Sequence, residues 1–331
     1  MSQLDQTVTP LEPPATPIKP PATQHEMPMI DKVANMFAVV VPFLATLVAI
    51  VLLWNKYVTA ADLLIMFGMY LLTGLGITVG FHRLLTHRSF QTFKPVEYFF
   101  AIIGSMAVQG PVTTWVADHR KHHAHTDQEG DPHSPHVGHD GEEKGVLAGL
   151  WHAHLGWTFS KHGEADAQKY ARDLYEDPGM QFISKYFVAW VLLGLAIPTL
   201  AGYLVTGTAA GALGGFFWGG LVRVFIGHHI TWSINSVCHF LGSRRFDVED
   251  QSTNVFWLAL PSFGEAWHHN HHAFPRSAQH GLKKWELDPS AWVITLMEKV
   301  GLARKVVRIT PERQAEKMAK PDSSGVRSSN T

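Results

Sequence analysis

Charge is scarce in two windows of this 331-residue chain: Met36 to Gly80 holds only Lys56 and Asp62, and Phe187 to Ser236 holds only Arg223. A single water-soluble domain does not leave such stretches open, so the class has to be read segment by segment. The net charge of -1, with no basic stripe, gives nucleic acid nothing to hold. Cysteine is nearly absent. Cys238 alone excludes an intramolecular disulfide, a cysteine-held iron–sulfur cluster and a CxxC redox pair. Residues 1 to about 30 lack apolar periodicity and carry seven prolines, which predicts an extended tail over 1–33. They also lack the basic start and short apolar core of a signal peptide.

The uncharged runs are long enough to matter. Met36 to Trp54 is 19 residues without a charge, about 28 Å at helical rise and close to the roughly 30 Å of bilayer hydrocarbon. Leu63 to Gly80, Phe187 to Val205 and Ala212 to Ile234 give three more spans, so the fold is expected to be all-α and integral to a membrane, with four transmembrane helices in two hairpins. A fifth run, Tyr98 to Val108, reaches only about 16 Å before Gln109, Gly110 and Pro111 interrupt it, and reads as a buried or interfacial helix. Val255 to Pro261 is shorter still. Residues 82–186 hold 10 of the 27 Lys and Arg, and residues 235–331 hold 13. By the positive-inside rule both ends face the cytoplasm, and the hairpins support a cytoplasmic helical cap, in what is expected to be a bacterial inner (plasma) membrane. The domain is read as 34–304, followed by a polar tail, 305–331, that frays.

Histidine is the opposite anomaly. There are 21, and all but His25 lie at or beyond His82. They cluster as His82-Arg-Leu-Leu-Thr-His87, His119-Arg-Lys-His122-His123 and His268-His-Asn-His271-His272, with Asn235-Ser-Val-Cys-His239 where the fourth span ends. The H-x-x-H-H spacing puts histidines at i, i+3 and i+4 on one helix face, where they can chelate together. The five-residue step from His82 to His87 turns about 140° around an α-helix, so these two either serve different ions or mark a bend at the end of the second span. A lone histidine is more often a surface residue than a ligand, but two repeats and a box at a membrane boundary are not read that way. Eight or nine imidazoles exceed the three or four ligands of a mononuclear zinc site and imply a dinuclear centre. Zinc does no redox chemistry, whereas iron with open positions activates dioxygen, so iron is the expected metal. The soluble di-iron pattern needs paired E-x-x-H motifs, and only Glu265-Ala-Trp-His268 fits. H-E-x-x-H is absent, which removes the common metalloprotease.

At these residues the chain resembles the membrane fatty acid desaturase family, in its delta-9 acyl-CoA (stearoyl-CoA type) branch, of the bacterial type without a cytochrome b5 domain. GITVGFHRLLTHRSF, DHRKHHAHTD, DPH, NSVCH and GEAWHHNHHAFP stand in the family's order and approximate spacing, over roughly Asp62 to Gly281. The resemblance implies a non-haem di-iron centre, two iron ions with dioxygen as co-substrate. Its ligands would be His82, His87, His119, His122, His123, His239, His268, His271 and His272, with Asn235 contacting one metal through water. His269 stands where relatives often carry asparagine, as a spare imidazole. His125 and His133 sit in matching motifs and are expected beside the ligands. An acyl tunnel is implied too, bent near the metals by Gln109, Trp115, Thr231 and Trp232, with Tyr70 and Gly74 near its closed end. A small residue at Gly74 would leave room for a longer chain. Without the resemblance, Trp115 and Trp232 read equally as interfacial aromatics. Arg223 either flags function or snorkels. His228 and His229 either line the tunnel mouth or are satisfied within the bundle.

The activity so implied is oxygen-dependent removal of two hydrogens from adjacent methylenes of a saturated fatty acyl thioester, acyl-CoA at the delta-9 position, giving a cis monounsaturated product. No side-chain acid or base takes hydrogen from an unactivated methylene, so a redox metal is required. The chain has no His-Pro-Gly-Gly segment, no Gly-rich dinucleotide fingerprint and no cysteine cluster. A separate electron donor, a ferredoxin, cytochrome b5 or reductase, is therefore implied. Arg83, Arg88, Arg120, Lys121, Arg244 and Arg245 are candidates to meet coenzyme A phosphates, an acyl carrier protein or an acidic donor, and positive-inside topology accounts for them equally well. One rival is a membrane di-iron hydroxylase or alkane monooxygenase, against which the H-x-x-x-x-H box and NSVCH argue. A metal transporter would instead want polar ligands at the bilayer midplane.

Overall fold

The computed structural model of the protein describes residues 27–54, 58–138, 141–160 and 165–318. Among these residues it is all helical, with isolated β-bridges and no strand. Four helices are long and apolar enough to cross a membrane: Met29–Leu52, Ala60–Thr86, Phe187–Thr206 and Ala209–His239. Leu64, Phe67, Val188, Leu200 and Leu204 stand outward and exposed, the pattern of a lipid-facing surface. The first span begins at Met29, so the last residues assigned to the tail are helical; residues 1–26 lie outside the described residues.

Local chemistry sets where these helices start and turn. Thr59 and Asp62 form a reciprocal capping box at the head of the second span: the Thr59 hydroxyl accepts from the Asp62 N–H at 3.2 Å, and the Asp62 carboxylate accepts from the Thr59 N–H at 3.0 Å. Gly207, left-handed at φ 68°, ends the third span, and the Thr208 side chain caps the start of the fourth by accepting from the Gly211 N–H. The second and fourth spans outlast their apolar runs, and each carries a π-helical stretch, Gly76–Thr86 at the end of the second and Gly215–Val222 within the fourth.

The fourth span sits in the middle and touches the other three. Small residues let the backbones close in, since a Cβ on Gly202 would lie 2.0 Å from the Gly211 carbonyl oxygen. Arg223 does not snorkel. Its side chain is buried within the bundle and donates to three carbonyls: Met106 at 2.9 Å, Gly194 at 3.2 Å and Gly219 at 3.2 Å. The short helix Lys94–Ser105 is not a span. It packs along the π-helical end of the second span, where a Cβ on Gly76 would sit 2.4 Å from the Gly104 nitrogen.

Helices Val112–His125, Val146–His154, His268–Ala273 and Pro289–Lys299 build the cap around the His82 and His239 ends of the second and fourth spans. Residues 305–318 do not fray. The Val307 N–H donates to the Ser89 carbonyl at 2.8 Å, the Val307 carbonyl accepts from the Ala278 N–H at 2.9 Å, and Thr310 caps helix Pro311–Glu316. Residues 319–331 of the expected tail lie outside the described residues.

Candidate metal centre

The nine histidines expected as ligands converge, and they do so as two groups. His82, His87, His119, His123 and His271 each bring a ring nitrogen within 4.8 Å of the others, and His122, His239, His268 and His272 do the same. His82 and His87 share a group because the backbone between them is π-helical, so that residues i and i+5 stack: the His87 N–H donates to the His82 carbonyl at 3.1 Å. Their rings are 4.9 Å apart, and the alternative of different ions for these two falls away.

The two H-x-x-H-H segments do not chelate as units. Each helix lies between the groups, sending its i, i+4 pair to one and its i+3 residue to the other, as the roughly 100° per residue of an α-helix allows. His119 and His123 go one way and His122 the other; His268 and His272 face His122, while His271 crosses over.

Carboxylates stand behind several rings. His122 Nδ1 faces Asp131 at 3.0 Å, His239 Nδ1 faces Asp127 at 2.9 Å, His272 Nδ1 faces Asp250 at 2.9 Å, and His82 Nδ1 meets Glu265. Such a partner fixes the tautomer and leaves Nε2 to bind a cation. Nε2 of His87, His119, His122 and His272 is buried without a hydrogen-bond partner. His82 and His271 bring their Nε2 atoms to 3.1 Å, and His239 and His268 do likewise at 3.1 Å. Buried polar atoms are normally paired, and one cation per group would satisfy these. The residues present therefore fit two metal ions.

Protonation obeys the same logic. Burial, reinforced by neighbouring imidazoles, pushes His87, His119, His123, His268, His271 and His272 well below 6.5, into the neutral form a metal needs. Burial also works against protonation of His122, but Asp131 overrides it and the net shift is upward.

Two cavities meet beside these groups. The smaller runs between the second and fourth spans and is lined by Tyr70, Gly74, Phe263, His82 and His268. The larger extends from the cap to the first span and includes Trp232, His133 and Asn35. Gln109, Trp115, His119, Thr231 and Asn235 line both. At that junction Gln109 Nε2 donates to Thr231 Oγ1 at 2.9 Å, and Trp115 Nε1 donates to Gln109 Oε1 at 3.4 Å. Gly74 leaves no spare room, because a Cβ there would lie 2.3 Å from the Phe263 ring.

The remaining candidates have other partners. His269 Nε2 accepts from the Phe246 N–H at 2.9 Å and is no spare ligand. His125 Nε2 meets the Tyr170 hydroxyl at 3.2 Å and belongs to neither group. His133 lies against His122, ring centroids 4.4 Å apart, beside Asp131; burial lowers it to about 3. His228 is both buried and in the wall of the larger cavity, with Nε2 2.9 Å from the Val108 carbonyl. His229 pairs with His154 at 3.0 Å.

Arg83, Arg88, Arg120, Arg244 and Arg245, all offered to an anionic partner, are engaged inside the protein. Arg83 is fully buried between Glu265 and Asp288, at 3.0 and 2.8 Å, and Arg88 and Arg120 hold Asp173. Arg244 binds the Ser252 and Val248 carbonyls, and Arg245 binds Glu286 and Asn270. Sequence reasoning assigns Asp127, Asp131, Asp250, Glu265 and the buried His280 no site role. The cues were the motifs that contain three of them, DHRKHHAHTD, Asp131-Pro-His133 and Glu265-Ala-Trp-His268, since an acid in a loop otherwise reads as solvated surface.

Fold and site together define a protein of the membrane type, with two adjacent sets of imidazoles able to hold metal ions beside the place where two cavities meet. The model of the fatty acid desaturase family matches residues 57–291, and the chain belongs to that family. It is 42% identical over 282 residues to a hex-5-enoyl-[acyl-carrier protein] acetylenase of Moorena producens, covering 85% of this chain and 88% of that protein. An sn-1 stearoyl-lipid 9-desaturase of Anabaena variabilis is 42% identical over 72% of this chain and 81% of its own length. An acyl-CoA C20 Delta5-desaturase of Anemone leveillei is 39% identical over 76% of each. The family makes the chain an oxidoreductase of lipid metabolism.

Proposed function

We propose that the protein uses dioxygen to introduce a cis double bond at the delta-9 position of a saturated fatty acyl chain. The observation that carries this reading is the meeting of two cavities at His119 and Asn235, the smaller of them lined by His82 and His119 of one histidine group and His268 of the other. In this reading His82, His87, His119, His123 and His271 hold one iron. His122, His239, His268 and His272 hold the other, with Asn235 reaching it through water. The iron pair supplies the redox chemistry with dioxygen that an unactivated methylene demands.

The protein's own residues do the rest. Gln109, Thr231, Trp115 and Trp232 shape the bend that presents one carbon–carbon bond, and Tyr70 with Phe263 closes the far end. The backing carboxylates hold ring tautomers fixed, so that no rearrangement is needed on binding. Electrons come from a separate ferredoxin, cytochrome b5 or reductase. The distribution of basic residues supports an inner-membrane protein with the cap and both ends on the cytoplasmic side. Acyl-CoA is the carrier the sequence favours. The internal pairing of five arginines that were candidates to meet its phosphates supports a second carrier, a membrane acyl lipid, and the named relatives act on acyl-carrier protein, lipid or CoA substrates.

The test is acyl-chain analysis of a desaturase-deficient host that co-expresses an electron donor with the wild type or with His271→Ala. New cis-delta-9 monounsaturated chains in the wild type alone are expected, and hydroxylated chains would move the protein to the monooxygenases. An unchanged profile despite the donor overturns the reading. Membranes given acyl-CoA, acyl-carrier protein or acyl lipid then separate the carriers.

A further inference from the structure

The two histidine groups differ in what stands behind their rings. Three of the four imidazoles of the His122, His239, His268 and His272 group face a carboxylate, at 3.0 Å for Asp131 and 2.9 Å for Asp127 and Asp250. Each acid is itself anchored. Asp131 accepts from the Asp127 and His133 N–H groups at 2.9 and 3.1 Å, Asp127 from the Gln251 N–H at 2.8 Å, and Asp250 from the Ser252 N–H at 2.9 Å. In the other group of five, His82 alone has such a partner among the described residues, Glu265, and that carboxylate is shared with the buried Arg83 guanidinium at 3.0 Å. A second guanidinium, on Arg120, lies close by on the Thr86 and Leu85 carbonyls, at 3.1 and 2.7 Å, next to His87 in sequence.

A carboxylate behind a ligating imidazole raises its basicity, and losing one typically costs about 10- to 100-fold in metal affinity. The five-histidine group has one more imidazole, but that donor is neutral. Asp250 has a guanidinium of its own nearby, Arg244 at 3.8 Å, but Asp127 and Asp131 have none within ion-pair distance among the described residues. These carboxylates, set against the one that buried Arg83 partly neutralises at 3.0 Å, outweigh the extra imidazole for a divalent cation in a dry site, where charge is weakly screened. From this asymmetry we infer that the two metal sites are unequal. The His122, His239, His268 and His272 site fills first and holds its ion more tightly, and Asp127, Asp131 and Asp250 are the positioning residues that make the difference. The inference rests on the ligand assignment of the proposed function.

Titration of the full-length, chelator-stripped protein with Co²⁺, followed by visible absorption and calorimetry, tests both layers separately. Two resolved steps are expected. His272→Ala should abolish the tight step and leave the weak one, and His87→Ala should do the reverse. Asp131→Asn and Asp250→Asn should weaken the tight step alone by about 10- to 100-fold, while still taking two ions at saturation, which shows the site intact. Should a carboxylate variant fail to fold, the order of loss in the two histidine variants decides by itself. Two indistinguishable steps, or a tight step removed by His87→Ala, would overturn the inequality and leave the ligand assignment standing. Uptake of fewer than two ions by the wild type would reject the ligand assignment, and this inference with it.

Discussion

Gly74 has no Cβ, and the Phe263 ring occupies the place where one would be, 2.3 Å from its ideal position. Phe263 is held there from both sides: its ring packs on Tyr70 at 5.3 Å, and its backbone takes a left-handed φ of 55°, unusual for a bulky residue and sustained by the surrounding loop. The far wall of the smaller cavity therefore depends on a glycine and a phenylalanine fitted together. Phe263→Ala is expected to deepen that cavity and move product towards longer acyl chains, with the double bond kept at the same distance from the carboxyl end. Gly74→Ala should lower activity by displacing the ring, and the double variant should regain it. Chain-length profiles by gas chromatography check this, and an unchanged profile in an active Phe263→Ala would take the ring out of the role. The histidine clusters were legible in the sequence, because their spacings are distinctive, and the family resemblance named the nine that converge. Their division into groups was not, nor were the acids behind them, because both depend on how separate segments meet.

The element that misleads a sequence reading most is the π-helical stretch Gly76–Thr86. Nothing in GITVGFHRLLT announces a wider turn, and an α-helical ruler throws His82 and His87 apart. Inserting one alanine after Leu84 makes the step between the two histidines six residues, which on an α-helix turns the second about 120° off the face of His82. Metal analysis of that variant should find about one ion per chain, and two would show that the five-residue spacing is dispensable. Arg223 makes the same point in the fourth span. A charge in an apolar run looks like a snorkelling side chain, yet here it ties the third span, the π-helical stretch and the end of helix Lys94–Ser105 through their carbonyls. Hydrogen bonds to a charged group contribute about 1.5 to 3 kcal/mol each, so Arg223→Met, which removes the shared donor from all three carbonyls, should lose several kcal/mol. Thermal unfolding in detergent measures it, with Arg223→Lys expected in between.

For the whole molecule, hydropathy and helical rise located all four spans, since membrane thickness sets their length regardless of tertiary detail. The ends were harder. Met29 to Val33 and residues 305–318 look polar or irregular in sequence and are ordered by contacts that composition does not reveal, such as those of Val307 with Ser89 and Ala278. The same assembly makes stability depend on pH. His87, His119, His123, His268, His271 and His272 are held below 6.5 chiefly by burial, so as pH falls through about 6.5 the unfolded chain takes up protons first. Their contribution to stability is complete above that value and is lost on the acid side. His122 runs the other way: its raised value gives stability that is present in acid and fades as pH climbs past it. Six groups against one set the net sign, and metal binding, which needs neutral imidazole, adds to it. The melting temperature and the metal content should therefore fall together between pH 7.5 and 5. A melting temperature that held steady to pH 5 while metal was released would show that the buried imidazoles are not what couples this fold to protons.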